Sequence, residues 1–133
     1  MSNTAKYLQE LSSHLSGFLV YDELIQELIP IVKASGNAKR FFSILYRRLD
    51  FLKTYGKNAQ EHHEEFERLN ADIYSLHIKS QFFNVRILYS FLEDGTILLR
   101  AFEEKSNKRV TDYTHQIPLA QERLQAIKED HHE

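Results

Sequence analysis

The sequence predicts an α+β fold: a small antiparallel β-sheet packed on N-terminal helices, with a C-terminal helix. Three observations lead there. Apolar residues recur at helical spacing as far as Tyr55, the period changes to two between Ile73 and Phe102, and helical spacing returns after His115. A chain of 133 residues fits a single domain and can bury a modest core of its own. Within it, residues 1–36 read as an N-terminal helical extension and residues 37–130 as the main unit.

The helices come first. Tyr7, Leu8, Leu11, Leu15 and Phe18 share one helical face, and so do Tyr21, Leu24, Ile25, Leu28 and Ile29. Pro30 lacks a backbone donor, so the second helix is expected to kink or restart there. Ser35-Gly36-Asn37 is a break. Phe41, Leu45, Leu49, Leu52 and Tyr55 then form a strongly amphipathic helix closed by Gly56. The charged segment Glu61–Leu69 is expected to be helical too.

Strands follow. Tyr74, Leu76 and Ile78 alternate with Ser75, His77 and Lys79; Phe83, Val85, Ile87, Tyr89 and Phe91 share one face; Ile97–Phe102 supplies a third strand. Asp94-Gly95 signals a hairpin. A two-residue turn there would put Arg100 on the face of Val85, Ile87 and Tyr89, burying a charge. A three-residue turn, Glu93-Asp94-Gly95, with Gly95 in the left-handed position of a bulge, shifts the parity. One face then carries Phe83, Val85, Ile87, Tyr89, Phe91, Ile97, Leu99 and Ala101. The other carries Arg86, Leu88, Leu98, Arg100 and Phe102, joined by His77 and Lys79. The sheet is thus expected to show an apolar face to the helices and a basic face elsewhere. From His115 to Glu129, Ile117, Ala120, Leu124 and Ile127 mark a last helix.

Composition narrows the function classes. The chain has no cysteine, which excludes disulfides and cysteine-based metal sites. No apolar run approaches the roughly 20 residues that span a membrane, and the N-terminus lacks the basic start and apolar centre of a signal peptide. An intracellular, cytoplasmic protein without a membrane partner is expected. A formal net charge of -2 gives no broad attraction to nucleic acid, so any RNA site must be a local basic patch. His62-His63-Glu64-Glu65 lacks metal-ligand spacing, and no phosphate-binding glycine loop or nucleophile elbow is present.

Three features carry chemistry. His77, Lys79, Arg86 and Arg100 share the basic face, where arginine suits phosphate geometry; a solvated outer sheet face would carry the same charges. Asp112-Tyr113-Thr114-His115 offers a His and a Tyr for proton transfer at an expected loop-to-helix junction; as a bare tetrapeptide it reads first as a helix entry with Thr114 as cap. Lys105, Lys108 and Arg109 form a short basic run diluted by Glu103, Glu104 and Asp112.

The runs Asp72–Lys79, Asn84–Phe91 and Ile97–Lys105, with Gln116-Ile117, Ala120 and Arg123 after them, resemble in order and spacing the RelE superfamily, nearest its HigB and phage-derived branch. The resemblance covers about Phe41 to Leu124. It implies a toxin of a type II toxin–antitoxin system, an mRNA endoribonuclease that works on the ribosome without metal or cofactor. The partner implied is a HigA-like helix-turn-helix antitoxin. The family's strand arginine falls on Arg86 and its lysine-rich strand end on Lys105, with Glu104 in place of a lysine. Its aspartate-tyrosine-histidine cluster is similar to Asp112, Tyr113 and His115 with Thr114 inserted, and His77 stands where the family has an arginine. The implied catalytic set is Arg86, His115, Tyr113, Lys105 and His77. RNA contacts are expected for Lys79 and Arg100 of the basic face, Lys108 and Arg109 of the basic run, and Asp112. Two other readings stay open: a non-catalytic binding protein of the same fold, and a small helical adaptor with a chance strand pattern.

Overall fold

Apolar periodicity and two glycine stops organise the first half of the computed structural model, which describes residues 3–105 and 109–131. Helix α1 spans Asn3–His14, α2 Leu24–Ser35 and α3 Ala38–Tyr55. Gly36 ends α2 in the left-handed conformation at φ 66°, which a side chain would strain, and donates its N–H to the Lys33 carbonyl. Pro30 does not divide α2. It is exposed, and so is Gln26, whose carbonyl loses its helical donor. Water can satisfy that carbonyl, so the helix runs on.

After a short 3₁₀ turn, Gly56–Glu61, come β2 (Phe66–Arg68), β3 (Tyr74–Lys79), β4 (Asn84–Leu92), β5 (Gly95–Glu103) and the long helix α4 (Arg109–His131). A two-residue strand, β1 (Leu19–Val20), pairs in parallel with β5. The sheet order is β1-β5-β4-β3-β2, and every other pairing is antiparallel. The α+β fold expected from the sequence is therefore present, and the sheet sets aside an all-helical adaptor. The expected helix over Glu61–Leu69 is instead the 3₁₀ end, a turn and β2. Phe66 is the only large apolar residue between Glu61 and Arg68. It packs against Phe51 in a stacked pair, ring centroids 5.3 Å apart, and that contact seats the segment on the sheet edge.

The β4–β5 hairpin splits the predicted register. Near the turn Leu92 pairs with Gly95, Ser90 with Ile97 and Tyr89 with Leu98; beyond a bulge Leu88 pairs with Arg100 and Ile87 with Ala101. The turn is therefore the two residues Glu93-Asp94, and the extra residue is Leu99 inside β5 rather than Gly95 in the turn. Arg86, Leu88, Arg100 and Phe102 share a face as expected. Leu98 moves to the opposite face, and Ile97 and Leu99 join the arginines.

Both faces are covered. On one, Phe41, Phe42, Leu45, Leu49 and Leu52 of α3, with Leu11 of α1 and Leu24 and Leu28 of α2, pack on Leu76, Ile78, Val85, Ile87, Tyr89 and Leu98. On the other, Tyr113, Ala120 and Leu124 of α4 pack on Leu88, Ile97, Leu99 and Phe102. The basic face read from parity is thus overlaid by α4, with Arg86 only 6% exposed.

β1 stops at Val20, which leaves the outer edge of β5 unpaired beyond Leu98. Side chains take over there. Glu27 Oε1 accepts the Ala101 N–H at 3.1 Å, and Arg123 Nη1 donates to the Leu99 carbonyl at 2.8 Å. The same Glu27 carboxylate holds Arg100 Nη1 at 2.6 Å and Arg123 Nη2 at 2.5 Å. Gln116 accepts from Arg100, and Arg123 lies 4.6 Å from the Tyr21 ring centre. One carboxylate therefore ties α2, β5 and α4 together. Glu27→Ala leaves two part-buried guanidinium groups without their counter-charge and should destabilise the fold by about 3 kcal/mol, read as a lower urea midpoint. A midpoint within about 0.5 kcal/mol of wild type, the usual size for surface substitutions, would show that the clamp is energetically idle.

Candidate functional site

β2 is three residues long, so it pairs with β3 only from Tyr74 to Leu76 and leaves the Lys79 end of β3 without a strand neighbour on that side. Loop and helix groups fill in. The His77 N–H donates to the Glu65 carbonyl at 2.8 Å, and Arg48 Nε of α3 donates to the His77 carbonyl at 3.1 Å. An open cleft of about 510 Å³ forms there, lined by Arg48, His63, Glu64, Glu65, Glu67, His77, Lys79 and Arg86.

Register places the polar members. Glu67 pairs with Ser75, His77 with Arg86, and Lys79 with Asn84. Glu104 follows β5, and its N–H donates to the Asn84 carbonyl at 2.8 Å. A continuous chain of contacts results. The Glu104 carboxylate accepts Arg86 Nε at 3.2 Å on one oxygen and Asn84 Nδ2 at 3.1 Å on the other. Asn84 Oδ1 faces His77 Nε2 in a short hydrogen bond. Arg86 Nη1 reaches Glu67 at 3.8 Å, and its guanidinium carbon lies 5.6 Å from the Tyr113 ring centre. The Tyr113 hydroxyl lies 3.3 Å from Ser75 Oγ and 3.5 Å from Glu67 Oε1.

Burial sets the protonation states. Desolvation holds the His77 pKa below its ordinary 6.5 and outweighs the hydrogen bonds to Asn84 and to the Glu64 backbone, which favour the charged form; Arg86 lowers it further and Glu104 opposes that. His77 is therefore neutral at pH 7. Desolvation also raises the Tyr113 phenol, against the lowering effects of Ser75 and Arg86, so Tyr113 stays protonated.

Four of the sequence-predicted residues come together: His77, Lys79 and Arg86 line the cleft, and Tyr113 of α4 contacts Arg86 and Glu67 of its wall. Arg100 does not join them, being held by Glu27 and Gln116. Lys105 is exposed just beyond β5, and His115 is exposed on α4; neither lines the cleft. Lys108 and the side chains of Arg109 and Asp112 lie outside the described residues. Asp112–His115 falls within α4 rather than at its entry, because the helix begins by Arg109. Glu67, Asn84, Glu104 and Arg48 are absent from the sequence-predicted set. Glu104 was within reach of parity, since it shares the even-numbered face of Arg100 and Phe102 beyond the bulge.

No family model matches this chain, and no curated protein or solved structure matches it either.

A pH prediction follows from His77. Its folded-state pKa lies below the unfolded value, so on acidification the unfolded chain binds the proton first. Stability is full above pH 6.5 and falls as the pH drops from there toward the folded-state value. This one group contributes a slope of at most about 1.4 kcal/mol per pH unit. His77→Gln should remove that part of the slope, measured by urea unfolding at stepped pH. An unchanged slope would mean that His77 titrates normally in the folded chain.

Proposed function

We propose that this chain is the toxin component of a type II toxin–antitoxin system, a cytoplasmic endoribonuclease that cuts mRNA on the ribosome. The observation that carries the reading is the cleft in which His77, Lys79 and Arg86 converge with Tyr113, on the same strands whose order and spacing resemble the RelE superfamily. RNA supplies its own nucleophile, so the site needs neither a serine nor a metal.

The chemistry assigned is 2′-hydroxyl attack on the adjacent phosphorus. A neutral His77 takes the hydroxyl proton, the 2′-oxygen bonds to phosphorus, and the bond to the 5′-oxygen breaks. That oxygen leaves with a proton from water, giving a 2′,3′-cyclic phosphate and a 5′-hydroxyl. Arg86 stabilises the charge that develops on the phosphoryl oxygens, and Lys79, exposed at the strand end, meets a flanking phosphate. Tyr113, protonated and close to Arg86, orients the guanidinium rather than moving a proton. A HigA-like antitoxin is the proposed partner in the resting state.

One observation favours the second reading, a non-catalytic binding protein. Arg86, Arg100 and Arg123 each already face an internal carboxylate, so these three arginines offer RNA little uncompensated charge. Induction of the chain in bacteria separates the two, scored together as growth arrest and mRNA loss. Wild type should arrest growth with mRNA cleavage. Arg86→Gln should lower cleavage by roughly 100-fold or more while circular dichroism shows a folded chain. Arrest that survives in folded Arg86→Gln would remove Arg86 from the chemistry. Growth without arrest in wild type, with no capture of a co-expressed neighbouring gene product, would leave the binding reading in its place.

A further inference from the structure

Neither the resemblance nor the charge pattern assigns a role to Asn84 or Glu104, yet the two lie in series behind His77. The Glu104 carboxylate can only accept. Asn84 Nδ2 donates to it at 3.1 Å, which fixes the amide's orientation and turns Oδ1 toward His77. The flipped amide would set its oxygen against a carboxylate. Asn84 Oδ1 therefore needs a donor from His77, and Nε2 must carry a hydrogen. The Glu64 backbone also accepts from the ring, so two acceptors compete for the one hydrogen of a neutral imidazole, and the Asn84 oxygen is the one backed by a carboxylate; Nδ1 is then the nitrogen with a lone pair. Glu104 is itself held, being 9% exposed and paired with Arg86 through its other oxygen. The backbone reinforces this placement. Lys79 pairs with Asn84, His77 pairs with Arg86, and the Glu104 N–H is bonded to the Asn84 carbonyl, so all three side chains are fixed from three adjacent segments.

We propose that Asn84 and Glu104 are positioning residues that hold His77 as the Nε2–H tautomer, so that Nδ1 is the atom that takes the proton. The catalytic part of this inference rests on the ribonuclease reading above; the tautomer does not. When Nδ1 gains the 2′-hydroxyl proton, the imidazolium keeps its bond to Asn84, and the amide passes the carboxylate's negative potential to the ring. The positive charge formed in the step is thus met by a group already in place.

The design is testable because the chain can be run with its charge moved from one position to the other. N84A removes the acceptor. N84D alone sets two carboxylates against each other. N84D combined with E104Q restores the order: the carboxylate now at position 84 accepts from His77, and the amide now at position 104 donates to it while still accepting from Arg86. Nitrogen-15 shifts of the His77 ring at pH 8 read the tautomer in the free protein, and ribosome-bound cleavage reads kcat and KM. Wild type should show Nε2–H. N84A should give a mixture of tautomers and lower kcat about tenfold or more with KM within about twofold. N84D with E104Q should recover the Nε2–H tautomer and most of the lost kcat. Nδ1–H in wild type, or a double variant no better than N84D alone in both readouts, overturns the inference and leaves the ribonuclease reading standing. Wild type with the expected tautomer but no cleavage overturns the catalytic role together with that reading and leaves only the positioning geometry. Variants that lose KM rather than kcat make the trio a docking element, which also overturns it.

Discussion

Both edge strands of this sheet are shorter than the strands they border, and side chains finish the pairing that they leave. β1 covers two residues of β5, after which Glu27 and Arg123 take the Ala101 N–H and the Leu99 carbonyl. An unpaired strand edge is a template for unwanted association, and natural folds cover it. Here the cover is ionic, and it comes from the helices on the two faces: Glu27 from α2, Arg123 from α4. Because one carboxylate serves two arginines and a backbone N–H, the seating of α4 is linked to that of α2 through the edge of β5. The order of the chain reflects this, since the carboxylate that closes the sheet's edge is 96 positions from the arginine it anchors.

At the opposite edge the same shortage opens the cleft. β2 ends before β3 does, so the backbone of His77 is satisfied by Glu65 and Arg48, and the space beyond becomes a concavity walled by charged side chains. A full-length β2 would fill it. The polar groups that result are partnered as densely as a core permits. Among the described residues, no buried side-chain nitrogen or oxygen lacks a hydrogen-bond partner. That satisfaction matters energetically, because a guanidinium as buried as Arg86 would be costly without its carboxylates.

Most of the fold was legible because most of its elements advertise a single period. α3 and the three long strands carry apolar residues on one side over enough positions to be read without context. What escaped did so for local reasons. β2 offers one apolar residue, and a three-residue strand has no period to detect. The bulge at Leu99 was written in the run Ile97-Leu98-Leu99, whose lack of alternation marks a strand that changes face, but a turn at Gly95 gave the same parity beyond it. Two distinct placements of one extra residue predict the same register for Arg86 and Arg100, and opposite faces for Leu98. In the candidate site, cations were legible and their partners were not. Parity brings Arg86, Arg100 and Glu104 to one face, whereas Glu67 arrives from a strand that the sequence disguises as a helix.

The charge balance at Arg86 decides how an anion could use the cleft. Arg86 carries one positive charge between Glu67 and Glu104, and a neutral His77 adds none, so this group is net negative before any ligand arrives. A phosphate would not be drawn in by the field of this group; at Arg86 it would have to compete with Glu67, the more distant and more exposed of the two carboxylates, for one side of the guanidinium. Glu104 is the closer partner and is also bound to Asn84, so it stays. Exchange of Glu67 for a phosphoryl group would leave the number of charges around Arg86 similar and would cost little reorganisation, because Arg86 and Glu67 both already line the cleft. An anion seated closer to the ring than Glu67 would also raise the proton affinity of the imidazole. In His77 that would move a depressed value back upward. Neutralised arginine and desolvated histidine are in this sense complementary: an anion that took the place of Glu67 beside the ring would meet the arginine's charge and raise the histidine's proton affinity together.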